Sequence, residues 1–164
     1  MSETTHLAEA LAGLFSAHEC FWFVTYPAAV EGLTALQAAS SPGPRVNSVW
    51  GVTLHLSLCQ RFALAVLRGE AVEVNEYFAA GAWPPVRNPE DESAWQQSKA
   101  DVLAANHALA ESVAGLSDAD LEKELAQLGM KTYQSIHGQL AHNSNHLCEI
   151  VATRHMQGLW LDKT

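Results

Sequence analysis

Apolar residues recur along this chain at helical spacing in four segments, and nowhere do apolar and polar residues alternate as in a half-buried strand. The first segment covers residues 5–30, where Leu7, Leu11, Leu14 and Phe15 fall on one helical face. Thr4 or Thr5 is placed to cap it, and Pro27 must kink or end it unless it begins a new turn. Ser40-Ser41-Pro42-Gly43-Pro44 is the clearest loop. Asn47 or Ser48 then caps a second helix over residues 49–67 that is apolar nearly all round: Val49, Trp50, Val52, Leu54, Leu56, Leu58, Phe62, Leu64 and Val66. Such a helix belongs at the centre of a core.

Gly81-Ala82-Trp83-Pro84-Pro85 and Asn88-Pro89 mark a long connection into a third helix over residues 90–114, whose acidic first turn suits the helix dipole. Residues 118–125 read as a short additional helix. The last long helix covers residues 133–157, with Gly158 as its C-terminal stop. Long helices joined by substantial connections, with no strand signal, predict an all-α four-helix bundle. The chain of 164 residues is of a length for one domain, residues 1–164.

Composition narrows the picture. With 48% apolar residues the chain can bury a core. A net charge of −9 with only nine Lys and Arg argues against nucleic-acid binding, which needs clustered cations. No stretch reaches about 18 consecutive apolar residues, so no membrane association is expected. Cys20, Cys59 and Cys148 have no framework spacing and no signal peptide is evident, which together predict reduced thiols in a cytoplasmic protein.

Eight histidines are many for this length and point to chemistry. His142 and His146 stand at i and i+4, one above the other on a helix face beside the stripe Ile136, Leu140, Leu147 and Val151. That spacing lets two imidazoles reach one ion, although chance also produces it in a chain so rich in His. Asn143 stands where a zinc protease carries its catalytic Glu, so that mechanism is not implied.

His55 lies in the run Val52-Thr53-Leu54-His55-Leu56-Ser57-Leu58 and must be desolvated, so its imidazole needs a partner. A backbone carbonyl would serve a lone core histidine. Combined with the helix-four pair, however, His55, His142 and His146 make a three-ligand metal site. Cys59, one turn from His55, is a further donor to weigh, although a small packed side chain is the plainer reading. His6, His107, His137 and His155 read as surface residues, and His18 as a neighbour of the site.

These residues resemble the DinB/YfiT-like family of metal-binding four-helix proteins. The likeness begins at Gly32-Leu33-Thr34-Ala35-Leu36-Gln37-Ala38. It continues through Asn47-Ser48-Val49-Trp50 to His55-Leu56 and through Leu116-Ser117-Asp118-Ala119-Asp120-Leu121. It ends in His142-Asn143-Ser144-Asn145-His146-Leu147-Cys148-Glu149-Ile150, similar to that family's H-x-x-x-H-x-x-[QE]-I helix. The resemblance covers residues 30–155. It implies an up-down-down-up bundle, often a homodimer, with a divalent ion, commonly zinc or nickel, on His55, His142 and His146. Asn145 and Glu149 depart from the family's common residues without removing a ligand, and can alter the surroundings of the ion.

An ion held by three neutral imidazoles keeps its positive charge and an open position. It can lower the pKa of a bound water or bind and deprotonate a thiol. The resemblance implies the thiol route: an S-transferase or isomerase using a low-molecular-weight thiol on a small-molecule substrate. A metal-dependent hydrolase and a non-catalytic stress or interaction module are the alternatives. In the last of these, the trough beside Trp83-Pro84-Pro85 would matter most. Glu149 is placed to orient a ligand imidazole, and Arg61 and Arg154 read as surface or helix-end salt bridges rather than as anion-binding groups.

Overall fold

The computed structural model describes residues 2–18 and 20–161. Among them the long helices are α1 (Glu3–Gly13), α4 (Val49–Leu67), α6 (Glu92–Ala114) and α7 (Thr132–Met156), with short helices α2 (Tyr26–Val30), α3 (Ala35–Ala39) and α5 (Val74–Tyr77) between them. The described residues are all-α apart from one small strand pair. Helix α4 spans the expected residues and is capped by Ser48, whose side chain accepts from Gly51 N at 3.1 Å. By length and composition α4 is apolar enough to cross a membrane, yet 67% of it is buried inside the protein, as a central helix should be.

The first helix is shorter than its periodicity predicts. Ser2, not Thr4 or Thr5, caps α1, and the helix ends at Gly13. The chain then loops outward and returns, Tyr26 N donating to Leu14 O at 2.8 Å. Pro27 takes the first turn of a new helix, α2, where its missing N–H costs nothing. His18 lies exposed in the loop, apart from any helix.

The segment expected as a short helix over 118–125 is a single 3-10 turn, Asp120–Glu122, followed by an antiparallel pairing of Glu124–Leu125 with Met130–Lys131. Gly129, at φ 61, makes the tight reversal that an L side chain resists, and its N–H donates to Leu125 O at 3.0 Å.

Asn47 meets Glu149 while His55 meets His142, so α4 and α7 run in opposite directions. Thr4 meets Asp118 and Leu11 meets Asn106, which sets α1 against the direction of α6. The apolar interior forms two clusters. One gathers Leu14, Tyr26, Trp50, Leu56, Trp95, Val102, Leu147 and Ile150. The other gathers Leu7, Leu11, Ala63, Leu109, Val113 and Ile136. The first cluster includes the start of α4 and the second half of α7, and so backs the histidines.

Candidate metal centre

Three side chains from two helices converge beside the first cluster. His55 is 7% exposed and His146 8%, while His142 is half-buried. One nitrogen from each ring lies within 4.8 Å of the other two, and this is the one such His, Cys, Asp or Glu group among the described residues. Helix α4 carries His55 on its buried side because Val52 and Leu56 flank it there. The i, i+4 spacing on α7 brings both partners to the same face, one turn apart.

Hydrogen bonds decide which nitrogens face inward. His55 Nδ1 lies 2.6 Å from Ala82 O, a carbonyl that can only accept, so Nδ1 carries the proton and Nε2 is left as a lone pair. His146 Nδ1 lies 2.7 Å from Glu149 Oε2, which frees its Nε2 in the same way. Asn47 Nδ2 donates to the other carboxylate oxygen of Glu149 at 2.8 Å. The Nε2 atoms of His55 and His142 stand 3.0 Å apart. Two nitrogens at about 2.0–2.1 Å from one tetrahedral ion are separated by about 3.3 Å, close to this spacing.

The electrostatics match a neutral donor set. Burial, reinforced by the neighbouring His146 and His55 rings, pushes His142 down to about 4. Burial also lowers His55, with the Ala82 hydrogen bond opposing it. Both rings are therefore uncharged at neutral pH, the form that ligates. Trp83 stacks on His55 with centroids 4.0 Å apart and planes 9° from parallel, covering one face of that ring. The donors, their tautomers and their spacing fit a divalent ion.

Other candidates separate from the cluster. Cys59 Sγ lies 3.7 Å from His55 Nε2 and 3.8 Å from Nδ1, so it flanks the ring instead of standing at a corner of the nitrogen triangle. Burial pushes its thiol up to about 11. Arg61 forms the expected exposed ion pair, with Asp101 at 3.6 Å. Arg154 departs from expectation: it is buried, and its guanidinium donates to the carbonyls of Ala29, Glu31 and Leu159 at 2.8–3.1 Å. His6, His107 and His137 are exposed, whereas His155 is half-buried and stacks on Trp160 at 4.3 Å. Two clefts of about 330 Å³ each lie elsewhere, one beside Val66, Leu116 and Thr132, the other beside Leu7, Leu121 and Tyr133. Size alone does not locate the chemistry here, because neither cleft offers convergent donors.

Sequence comparison agrees with this geometry. Residues 24–150 match the family model of the DinB superfamily. The chain belongs to the DinB superfamily. The matched span includes α4 with His55 and the stretch of α7 carrying His142, His146 and Glu149. No curated protein and no solved structure matches the chain significantly.

Two contributors to the centre were not named as such from sequence. Asn47 reads there as a helix cap, and its role depends on a partner 102 positions away. The Ala82 carbonyl is main chain and leaves no trace in residue type.

Proposed function

We propose that this DinB superfamily member binds one divalent ion, zinc or nickel, through His55, His142 and His146, and uses it to activate a small thiol for S-transfer to a small-molecule electrophile. The observation that carries the reading is the convergence of one ring nitrogen from each of three histidines, two of which have tautomers fixed by Ala82 O and Glu149. When bound, such an ion supplies positive charge that stabilises a thiolate at neutral pH. The chain's own groups do the rest. Ala82 and Glu149 hold two imidazoles in the ligating tautomer, and Trp83 keeps water from one face of His55.

A hydrolase with a carboxylate base would look first to Glu149. Glu149, the carboxylate bonded to the cluster, has one oxygen on His146 and the other on Asn47, so it is not free to act as a general base.

The test begins with metal analysis of protein purified without chelator, followed by assays of small thiols with a model electrophile. The expected result is one ion per chain, thiol-dependent turnover, and loss of the ion in both His55→Ala and His142→Ala. Unit metal content without thiol turnover would reject the transferase and leave a metal-binding module. Metal lost from His142→Ala but retained by His55→Ala would reject the three-ligand site.

A further inference from the structure

An imidazole that ligates through Nε2 carries its proton on Nδ1, and that N–H needs an acceptor to hold the ring in place. His55 has Ala82 O at 2.6 Å and His146 has Glu149 at 2.7 Å. The third ring breaks the pattern: His142 Nδ1 is buried and has no hydrogen-bond partner among the described residues.

Its neighbour is fully buried. Asn143 is 0% exposed and its side-chain amide stands beside the His142 ring. Asn143 Nδ2 is also buried without a partner, while its Oδ1 accepts from Gln139 Nε2 at 2.8 Å. The oxygen and nitrogen of a carboxamide occupy nearly the same shape, so hydrogen bonding decides which is which. Turning both amides by half a rotation removes both unpaired groups at once. His142 Nδ1–H then donates to Asn143 Oδ1, and Asn143 Nδ2 donates to Gln139 Oε1.

We propose that Asn143 is the positioning residue of His142, anchored in turn by Gln139. All three ligands then have an oriented Nδ1–H: one held by a backbone carbonyl, one by a carboxylate, one by a carboxamide. The inference rests on the metal-binding reading above. It adds that a residue buried in the core, and not facing the ion, sets the affinity of the site. A packing role alone would give Asn143 no preference for an acceptor oxygen.

The test compares wild type, Asn143→Leu and Asn143→Asp by competition for Co(II) or Zn(II) against a chromophoric chelator, with the visible spectrum of the Co(II) form recorded for each. Metal-free thermal stability is measured alongside, so that loss of fold is separated from loss of affinity. Asn143→Leu is expected to weaken binding by about 10–100-fold and to change the cobalt spectrum. Asn143→Asp, which keeps an acceptor oxygen, is expected to retain wild-type affinity and spectrum. Equal affinity in wild type and Asn143→Leu would overturn the proposal, as would an equal loss in both variants. If Asn143→Leu does not fold, Gln139→Ala carries the test at a half-buried position, and an unchanged affinity there overturns it. A wild type that binds no cobalt or zinc overturns the metal reading itself, which is a separate outcome.

Discussion

Glu149 is stretched between two helices' worth of partners, accepting from Asn47 through one oxygen and holding His146 through the other. A carboxylate behind a ligating imidazole raises its basicity and fixes its rotation, and removing such a partner typically weakens metal binding by about 10–100-fold. Glu149→Ala is therefore expected to lose affinity on that order, and Asn47→Ala to lose less, because the carboxylate remains. A competition titration against a chelator measures both. A Glu149→Ala protein as tight as wild type would show that His146 is held by packing alone. At this scale the sequence is readable where chemistry depends on local spacing. The i, i+4 pair, the desolvated His55 and the i, i+3 relation of Glu149 to His146 all follow from position on a helix. It is silent where a partner is distant or has no side chain, as with Asn47 and Ala82. Arg154 misleads because a terminal basic residue resembles a dipole-compensating one, whereas folding draws it inward onto the carbonyls of α2.

The same arginine explains how the α1–α2 region is held once the first helix proves shorter than expected. Periodicity from Leu7 to Phe15 is real, and Leu7, Leu11, Leu14 and Phe15 are all buried. The pattern does not say that the chain leaves the helix at Gly13, and residues 21–23 follow as Phe-Trp-Phe with Phe21 91% and Trp22 84% exposed. An apolar residue in sequence is not thereby a core residue. What returns the chain to the bundle is Tyr26 packed on Phe15, with centroids 5.4 Å apart, and the Arg154 guanidinium clamping the end of α2. Replacing Arg154 by Met leaves buried carbonyls without these donors, and charged hydrogen bonds of this kind are each worth about 1.5–3 kcal/mol. We expect Arg154→Met to destabilise the protein by about 3 kcal/mol, or on the order of 6–12 °C in melting temperature. Metal stoichiometry should be unchanged, since the clamp lies at the α2 end of α7. Calorimetry together with metal analysis checks both halves. A melting temperature within a degree or two of wild type would mean that apolar packing already fixes α2.

Across the whole molecule, the division of the interior into two apolar clusters follows a pattern shared by three helices. On α4 the change falls between Leu56 and Ala63, on α6 between Val102 and Leu109, and on α7 between Ile136 and Leu147. Within those three intervals lie Gln60, Asn106 and Asn143, exposed by 0%, 2% and 0%. Each of the three helices thus carries a buried amide where its apolar run passes from one cluster to the other, and on α7 that amide directly follows the candidate ligand His142. Hydropathy patterning shows each helix as apolar and cannot show that each encloses a polar residue, because that depends on how the helices are set against one another. The members differ in how well they are satisfied. Asn106 donates to Leu11 O at 3.2 Å, whereas both amide atoms of Gln60 are buried with no partner among the described residues. An unpaired buried polar group costs about 1–3 kcal/mol, so Gln60 weakens the fold where a methionine of similar volume would not. Gln60→Met is expected to raise stability by about 1–3 kcal/mol, read as a higher denaturation midpoint at unchanged denaturant slope. Metal affinity should stay at the wild-type level, because no hydrogen bond ties Gln60 to the three histidines among the described residues. A less stable Gln60→Met protein would instead mean that internal water satisfies the amide, making Gln60 part of a hydrated pocket rather than a local weakness of the core.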